Sequence, residues 1–320
     1  MRLAILFALS LPAVALAQDL GPISTRNHRA IALPFLRFDP HTGLVPDGHV
    51  EWDAIFQSAN DSRRLPLQGQ ARVEEDQETE RLLLRWRRGL SKGREFSVEV
   101  PFLSRGGGFL DPIITSWHAN VLHWQEPFRA SQPFGRSVVA VPGSRFGSAA
   151  GLGDVALFLS QQLAQRFVGS WAVKFPTGDG HRLLGSGGAD AGGVIKGRWG
   201  LRKRLVFHAM GGLIAQSPGT ALDSVRGLVH EESMALCWQS NGRDDWVLQW
   251  IGEASPVQTG VAGSDATHRQ LTIGYQRLLG HGRMLELSFN EDRDVFNGRF
   301  PEGANVAPDF TIGISLFVRK

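Results

Sequence analysis

The sequence predicts an all-β protein, a transmembrane antiparallel β-barrel of about twelve strands with short periplasmic turns and long outer loops. Two observations predict this fold. Stretches of about ten residues alternate between apolar and polar positions, and the connections between them alternate between short and long. A removable leader at the amino terminus further indicates that the chain is exported.

The leader has the three parts of a secretory signal peptide. Arg2 supplies the positive start, residues 3–11 the apolar core, and Ala15-Leu16-Ala17 a cleavage site with small residues. The apolar core ends at Pro12 and is too short to cross a bilayer, and no later segment forms a membrane-spanning helix. We therefore predict a cleaved signal peptide over residues 1–17, an N-terminal periplasmic segment over residues 18–48 and a barrel over residues 49–320.

The alternation is clearest where the polar face is charged. Leu82, Leu84 and Trp86 share one face of a strand, whereas Arg85 and Arg87 share the other. A helix would scatter these side chains around its axis, so the pattern predicts a strand. Twelve such stretches occur, near residues 49–57, 82–87, 96–102, 154–162, 167–175, 189–199, 205–213, 231–239, 246–253, 269–276, 285–290 and 309–318.

The connections provide an independent test of the topology. Short connections fall at residues 89–93, 164–166, 201–204, 241–245 and 279–282. The longer ones fall at residues 58–80, 104–153, 176–188, 214–230, 254–268 and 292–308. This parity predicts that both termini are periplasmic and that the longest outer loop covers residues 104–153. The alternative interpretation is a secreted or structural all-β binding protein without pore activity, because the strands of a β-sandwich show a similar alternation of apolar and polar residues.

Composition limits the classes of function. A net charge of +3 is small for 320 residues and does not indicate a nucleic-acid partner. The single cysteine, Cys237, excludes an internal disulfide, and its alternation with Met234, Leu236 and Trp238 places it on the inward face. The ten histidines are scattered singly, so we predict no metal site and no cofactor.

If the apolar face contacts lipid, the opposite face lines the lumen. Both signs of charge occur there, which predicts cross-strand ion pairs that fill or narrow it. The lumen is either a polar pore or a plugged structural core, and the sequence leaves both open. The candidate lining residues are Glu51, Asp53, Arg85, Arg87, Glu99, Lys174, Lys196, Arg198, Glu253 and Glu286.

Two outer segments depart from the strand pattern. In residues 104–118, Asp111 as a cap and Pro112 at the first helical position predict a short amphipathic helix over or in the barrel mouth. Residues 175–190 are rich in glycine and predict a tight structural loop, since no lysine follows the glycines as in a nucleotide loop. The candidate ligand or gating residues on this rim are Gly107, Gly108, Phe109, Asp111, Trp117, His118, Asp179 and Asp190.

Five short motifs follow one another along the chain: GPISTRN at 21–27, GGFLD at 107–111 with Trp117-His118, GLGD at 151–154, PTGD at 176–179 and GSGGAD at 185–190. In this order they resemble a bacterial family known only as domain of unknown function 3187. GLGD followed by PTGD is also similar to the outer-membrane barrels associated with the meta-pathway of phenol degradation, which are presumed transporters. The resemblance covers nearly the whole mature chain. It implies an outer-membrane barrel of unassigned activity and supplies no catalytic residues.

The function predicted from these features is a passive channel or uptake porin for a small compound, apolar compounds included, gated by the 104–153 loop. An outer-membrane lipid or ester hydrolase is the alternative, and Ser104 or Ser116 with His118 and Asp111 is its only local cluster. Expected partners are outer-membrane lipid, the barrel-assembly machinery and an unidentified small molecule. The carboxyl-terminal Arg319-Lys320 is unusual, because such chains usually end on an aromatic residue that the assembly machinery recognises.

Overall fold

A computed structural model describes residues 20–65, 72–123, 127–292, 308 and 310–320. Its strands, in chain order, are β1 Val50–Leu65, β2 Val73–Leu90, β3 Arg94–Gly106, β4 Val138–Val141, β5 Ser144–Phe146, β6 Ala149–Leu152, β7 Ala156–Ala164, β8 Phe167–Lys174, β9 Asp190–Arg202, β10 Leu205–Gln216, β11 Leu228–Gln239, β12 Asp244–Glu253, β13 His268–Gly280, β14 Arg283–Asp292 and β15 Phe310–Arg319. The helices are α1 Asp111–Trp117, α2 Pro127–Ser131 and α3 Ala262–Asp265, with a π-helical turn at His118–Leu122 and a 3-10 turn at Gly180–Arg182. None of the helices in these ranges is long and apolar enough to cross a membrane.

Twelve of the described strands close into an antiparallel barrel, as predicted. Each strand pairs with the next, from β1 through β3 and β7 through β15, and β15 returns to pair with β1. The closing seam aligns Glu51 with Arg319 and Asn60 with Phe310. Strands β4, β5 and β6 are not part of this ring and belong to the long 104–153 connection. β4 pairs with the beginning of β2, and β6 pairs with the end of β3.

The two faces of the wall differ as the alternation predicts. On β11, Met234, Leu236 and Trp238 are exposed, whereas Ala235 and Cys237 are buried. The outward face is apolar on the other barrel strands as well, and it forms the surface that contacts lipid. We call this apolar outward surface the lipid belt.

Aromatic residues mark the short-turn end of the lipid belt. Trp86 packs edge-on against Phe96 beside the β2–β3 turn, and Trp246 contacts Tyr275 beside the β11–β12 and β13–β14 turns. Aromatic side chains favour the membrane–water boundary because one end is apolar and the other polar. The short turns therefore lie at one boundary of the bilayer.

The N-terminal segment differs from the prediction. Residues 20–48, which we call the N-terminal hairpin, do not form a separate segment: residues 20–45 lie inside the barrel, and residues 46–48 are exposed at its short-turn end. The segment enters at the short-turn end, where Leu20 contacts Asp245, turns at residues 29–35, and returns to Gly89 beside the β2–β3 turn. Its apolar residues explain this position, because Ile23, Ile31 and Phe35 are at most 1% exposed.

The predicted 58–80 loop is also largely strand. β1 continues to Leu65 and β2 begins at Val73, and the two pair throughout this extension. The alternation disappears there because both faces of the extension are covered: Ser58, Asn60 and Asp61 are each 1% exposed although neighbouring side chains point to opposite faces. The sequence therefore reads as polar throughout and gives no strand signal.

Gly89 allows the returning arm of the hairpin to approach β2. A Cβ atom at this position would overlap the carbonyl oxygens of Val45 and Pro46, and Gly89 also exchanges backbone hydrogen bonds with residues 48 and 49. We expect Gly89→Ala to cost about 1–3 kcal/mol, the usual range for overpacking. Thermal unfolding in detergent micelles, followed by tryptophan fluorescence, measures the loss. Gly106→Ala is the control, because a Cβ there meets no atom within 4 Å; equal midpoints for both variants would contradict the expectation.

Candidate functional site

The site of interest is the lumen and the hairpin that fills it. Residues 36–48 and 20–28 of the hairpin have no regular secondary structure apart from an isolated bridge at Asp47, so their backbone N–H groups need partners elsewhere. Acidic side chains of the wall accept six of these N–H groups. They are Leu20 N–H to Asp245 (3.0 Å), Ser24 to Glu286 (3.3 Å), Asn27 to Glu253 (2.9 Å), Leu36 to Asp190 (2.9 Å), Phe38 to Glu231 (3.2 Å) and Val45 to Glu95 (2.7 Å).

The amide of Gln249 completes this set from the wall. Its Oε1 accepts the N–H of Ile23 at 2.8 Å, and its Nε2 donates to the carbonyl oxygen of Ile23 at 3.1 Å. A glutamine can satisfy both backbone groups of one residue, whereas a carboxylate can only accept. Side chains of the wall thus accept seven backbone N–H groups of the hairpin, and Gln249 also donates to a backbone carbonyl.

Ion pairs hold the hairpin side chains to the wall. Arg37 donates to Glu253 at 2.7 Å, and Arg29 donates to Glu75 at 2.6 Å. Arg85 of β2 joins the two parts of the protein, because it lies 2.6 Å from both Asp53 of β1 and Asp39 of the hairpin. All of these groups are largely withdrawn from water, which makes each pair costly to break on one side only.

The structure places all ten predicted lining residues inside the barrel. The predicted cross-strand ion pairs are present: Arg87 pairs with Glu51 on one neighbouring strand and with Glu95 on the other. Lys174 lies 2.6 Å from Asp154 and 3.4 Å from Asp190. The set comprises Glu51, Asp53, Arg85, Arg87, Lys174, Lys196, Glu253 and Glu286, which are buried, and Glu99 and Arg198, which are partly exposed to internal cavities.

A row of cavities begins at the short-turn end of the lumen. The largest, which we call the basal cavity, has a volume of about 510 Å³ and is lined by both charged wall residues, such as Arg198 and Glu51, and the hairpin. A second cavity of about 30 Å³ shares His41 and Arg87 with it. A third of the same size shares Glu99 with the second. Each of the two small polar cavities has about the volume of a single water molecule.

The opposite end of the lumen is closed by apolar side chains. The tip of the hairpin packs there against the β1–β2 extension, the β4–β5 hairpin and three outer loops. We call this cluster the outer cap. Its buried members are Ala30, Ile31, Phe35, Leu65, Val73, Val139, Val141, Leu183, Ala221, Leu222 and Val257.

The predicted rim residues do not form one site. Gly107, Gly108, Phe109, Asp111, Trp117 and His118 belong to a segment packed on the outside of the wall. Asp179 is exposed and accepts the N–H of His181, which stabilises the 3-10 turn. Asp190 faces the lumen and accepts the N–H of Leu36 at 2.9 Å, so it holds the hairpin in place.

The predicted helix exists, with one difference in its details. α1 begins at Asp111 with Pro112 in its first turn, but Leu110 is the N-cap residue and has no capping side chain. The carboxylate of Asp111 instead accepts bonds from Asn60 (3.0 Å), Arg129 (2.8 Å) and the N–H of Gly135 (3.0 Å). Its role is to join this segment to β1.

Arg136 makes the same kind of connection to β2. It lies 2.6 Å from both Glu74 and Asp76. Burial lowers the pKa of Arg136, but its hydrogen bonds and the charges of Glu74 and Asp76 outweigh that effect and raise the pKa above its ordinary value. The guanidinium therefore stays charged.

The residues of the hydrolase hypothesis do not assemble. Ser116 is exposed and contacts Asn120, whereas His118 is buried. Asp111 is engaged by Asn60 and Arg129. In the described ranges, no three side chains of the histidine, cysteine or acidic type are grouped so as to hold a metal ion.

The main feature that sequence reasoning missed is the hairpin, together with its partners Glu95, Glu231 and Asp245 on the wall. Residues 30–36 are an uninterrupted apolar run with no alternating polar positions, which is the signal that could have indicated a buried segment apart from the wall strands. The inward acidic residues were recognised, but as pore lining only. Their additional role depends on a partner that carries no pattern of its own.

Fold and lumen together define an outer-membrane β-barrel with an internal plug. The chain belongs to the family described as "Protein of unknown function (DUF3187)", whose model matches residues 4–319. This confirms the resemblance seen in the motifs. No curated protein matches the chain.

Comparison with solved structures finds an outer-membrane channel, a porin and a transporter among the matches. The COG4313 outer-membrane channel of Pseudomonas putida F1 is 12% identical with a TM-score of 0.56, and the match covers 89% of this chain and all of that one. The KdgM porin is 7% identical with a TM-score of 0.43, over 84% and 98% of the two chains. The toluene transporter TodX of P. putida is 11% identical with a TM-score of 0.38, over 86% and 90%.

Arg85 offers a direct test of how firmly the hairpin is held. In Arg85→Met, Asp39 and Asp53 lose their shared counterion while still buried, so we expect a loss of about 3–5 kcal/mol in stability. Urea unfolding in micelles measures this loss, and limited proteolysis measures cleavage within residues 20–48. The control is Arg88→Met, an exposed arginine on the opposite face of the same strand. Equal stability and equal protease resistance in both variants would contradict the assigned role.

Proposed function

We propose that the protein is a passive uptake channel for a small compound, and that the N-terminal hairpin, not the 104–153 loop, is its gate. The observation that carries the proposal is the nature of the plug. The hairpin fills a barrel of twelve strands, a size between barrels filled by side chains and open porins. Yet its described contacts with the barrel strands are almost all made through side chains, without strand pairing along its length.

Such a plug can move without disrupting the wall. Each hydrogen bond between a hairpin N–H and a wall carboxylate can be replaced by one to water, and a bond to a charged group contributes only about 1.5–3 kcal/mol. The hairpin joins the barrel covalently only at β1, through residues 45–49. If the signal peptide is removed at Ala17, the other end of the hairpin has no covalent link to the barrel and is held there by contacts such as that of Leu20 with Asp245.

The cavities and the outer cap support a route along the barrel axis. A compound arriving from outside would first meet the apolar outer cap and then the charged lumen, which ends in the basal cavity. This order suits a small compound with an apolar part. Movement of the hairpin would join the three cavities into one path.

Export and assembly complete the proposal. The leader over residues 1–17 would direct the chain across the inner membrane, and the barrel-assembly machinery would insert it. Phe317 near the carboxyl terminus points inward and is 4% exposed, and Arg319 pairs with Glu51 across the seam. If the assembly machinery recognises an outward aromatic residue on the last strand, that residue is therefore not Phe317.

Conductance in planar bilayers tests the gate. We expect the full-length protein to be closed for most of the time. A variant lacking residues 20–40 should show steady ion conductance, because only the last part of the hairpin, from His41 onward, then remains in the lumen. As a control, a deletion of residues 107–136 should not open the pore, since the described residues of this stretch lie outside the wall. A folded hairpin deletion without conductance would refute the channel and favour a structural role.

The deletion variant must be shown to fold, by its altered mobility in unheated gel samples. Should it fail to fold, Arg85→Met in the full-length chain replaces it. That variant is expected to open more often than Arg88→Met. Equal open times for the two would also count against the hairpin as the gate.

Ion selectivity provides a second test of the same pore. Removing the hairpin takes away Arg26, Arg29 and Arg37 and leaves the carboxylates that accepted its N–H groups facing water, so we expect the open lumen to prefer cations. The reversal potential in a KCl gradient measures this preference. Neutralising Glu231 and Glu253 to glutamine in the deletion variant should reduce it, whereas Glu232→Gln, on the outward face, should not. A preference unaffected by Glu231 and Glu253 would place the ion path elsewhere.

A further inference from the structure

Within residues 107–123 and 127–136, which we call the outer segment, an apolar stripe points away from the barrel. Ile113, Trp117 and Val121 follow one another at four-residue spacing along α1 and the π-helical turn, so they lie on one side of it, and Phe109 stands four residues before Ile113, just ahead of α1. On the other side, Ile114 is fully buried. The stripe comprises Phe109 (61% exposed), Ile113 (53%), Trp117 (42%) and Val121 (51%).

The outer segment covers the outward face of the barrel wall. Along β1, Trp52 and Phe56 point outward and are exposed, and alternation puts Ser58 and Asn60 on the same face. Ser58 and Asn60 are nevertheless only 1% exposed. Something must therefore cover the outward face above Phe56.

The covering contacts come from the outer segment. On β1, the amide of Asn60 donates to Asp111 at 3.0 Å. On β2, the carboxylate of Glu78 accepts the backbone N–H groups of Phe109, at 2.8 Å, and of Leu110. Glu78 shares the outward face of β2 with the exposed Leu82 and Leu84, so the segment lies directly beyond the lipid-facing part of this strand.

The register places this cover at the depth of the lipid belt. On the neighbouring strand β15, Ser58 pairs with Ile312 and Asn60 pairs with Phe310. Ile312 is lipid-facing and 37% exposed. The belt therefore continues on β15 past the level at which the outward residues of β1 become polar.

We propose that the apolar stripe of the outer segment is inserted among the acyl chains of the outer leaflet. It replaces the part of the lipid belt that β1 and β2 lack. The segment shields Asn60 and Glu78 from hydrocarbon with its polar side and offers hydrocarbon its apolar side, as amphipathic helices do at membrane surfaces. This role is independent of channel activity.

A fluorescent probe on the stripe tests the proposal. Ile113→Cys is made in a Cys237→Ala background, labelled with an environment-sensitive fluorophore, and reconstituted in phosphatidylcholine vesicles. Quenching is then measured with phosphatidylcholine that carries a nitroxide on its acyl chain, and separately with aqueous iodide. Leu213→Cys is the matched lipid-facing control on β10, and Ser91→Cys in the β2–β3 turn is the aqueous control; both native residues are exposed.

We expect the probe at residue 113 to lose emission to the nitroxide lipid as strongly as the probe at residue 213, and to resist iodide. Iodide quenching equal to that at residue 91 would overturn the proposal. Protection from both quenchers would overturn it as well, because it would show that protein covers the stripe. If Ile113→Cys does not fold, Val121→Cys on the same stripe is measured against the same two outcomes.

Discussion

The arrangement of the molecule depends on one constraint: an irregular chain inside a barrel must find partners for its backbone N–H groups. Apart from Gly89, which bonds residues 48 and 49, the backbone of the wall strands does not supply them, because its groups pair with one another. Inward carboxylates supply them instead, with Asp190, Glu231 and Glu253 as examples. These acidic residues of the lumen therefore serve as hydrogen-bond acceptors for the hairpin backbone. Arg37 and Arg85 balance part of their negative charge.

The wall could be predicted from the sequence because a strand with lipid on one side and protein on the other must alternate. The twelve strands, the short turns and the inward position of Cys237 all follow from this single rule. The rule fails where its premise fails. The extension of β1 and β2 beyond Ser58 has protein on both faces, and the N-terminal hairpin has no regular backbone, so neither carries a period.

The candidate site was predicted in part. Charged lining residues such as Arg87 and Lys174 were found because they occupy the polar phase of a strand. Whether they face water or another chain segment depends on contacts between residues more than 150 positions apart, such as Leu36 with Asp190, which no local pattern contains. The rim residues were grouped by loop parity alone, and parity does not distinguish Asp111 outside the wall from Asp190 inside it.

The closing seam between β1 and β15 gives the position of the hairpin a consequence for how the protein is made. The hairpin precedes the first strand in the chain, yet it is enclosed by a ring that is completed only when the last strand pairs with the first. Ring closure therefore either wraps a hairpin that is already docked on β9 to β13 or leaves it to thread through the short-turn end. Biogenesis of this barrel therefore includes enclosing the N-terminal hairpin within the ring of strands as well as inserting that ring into the membrane.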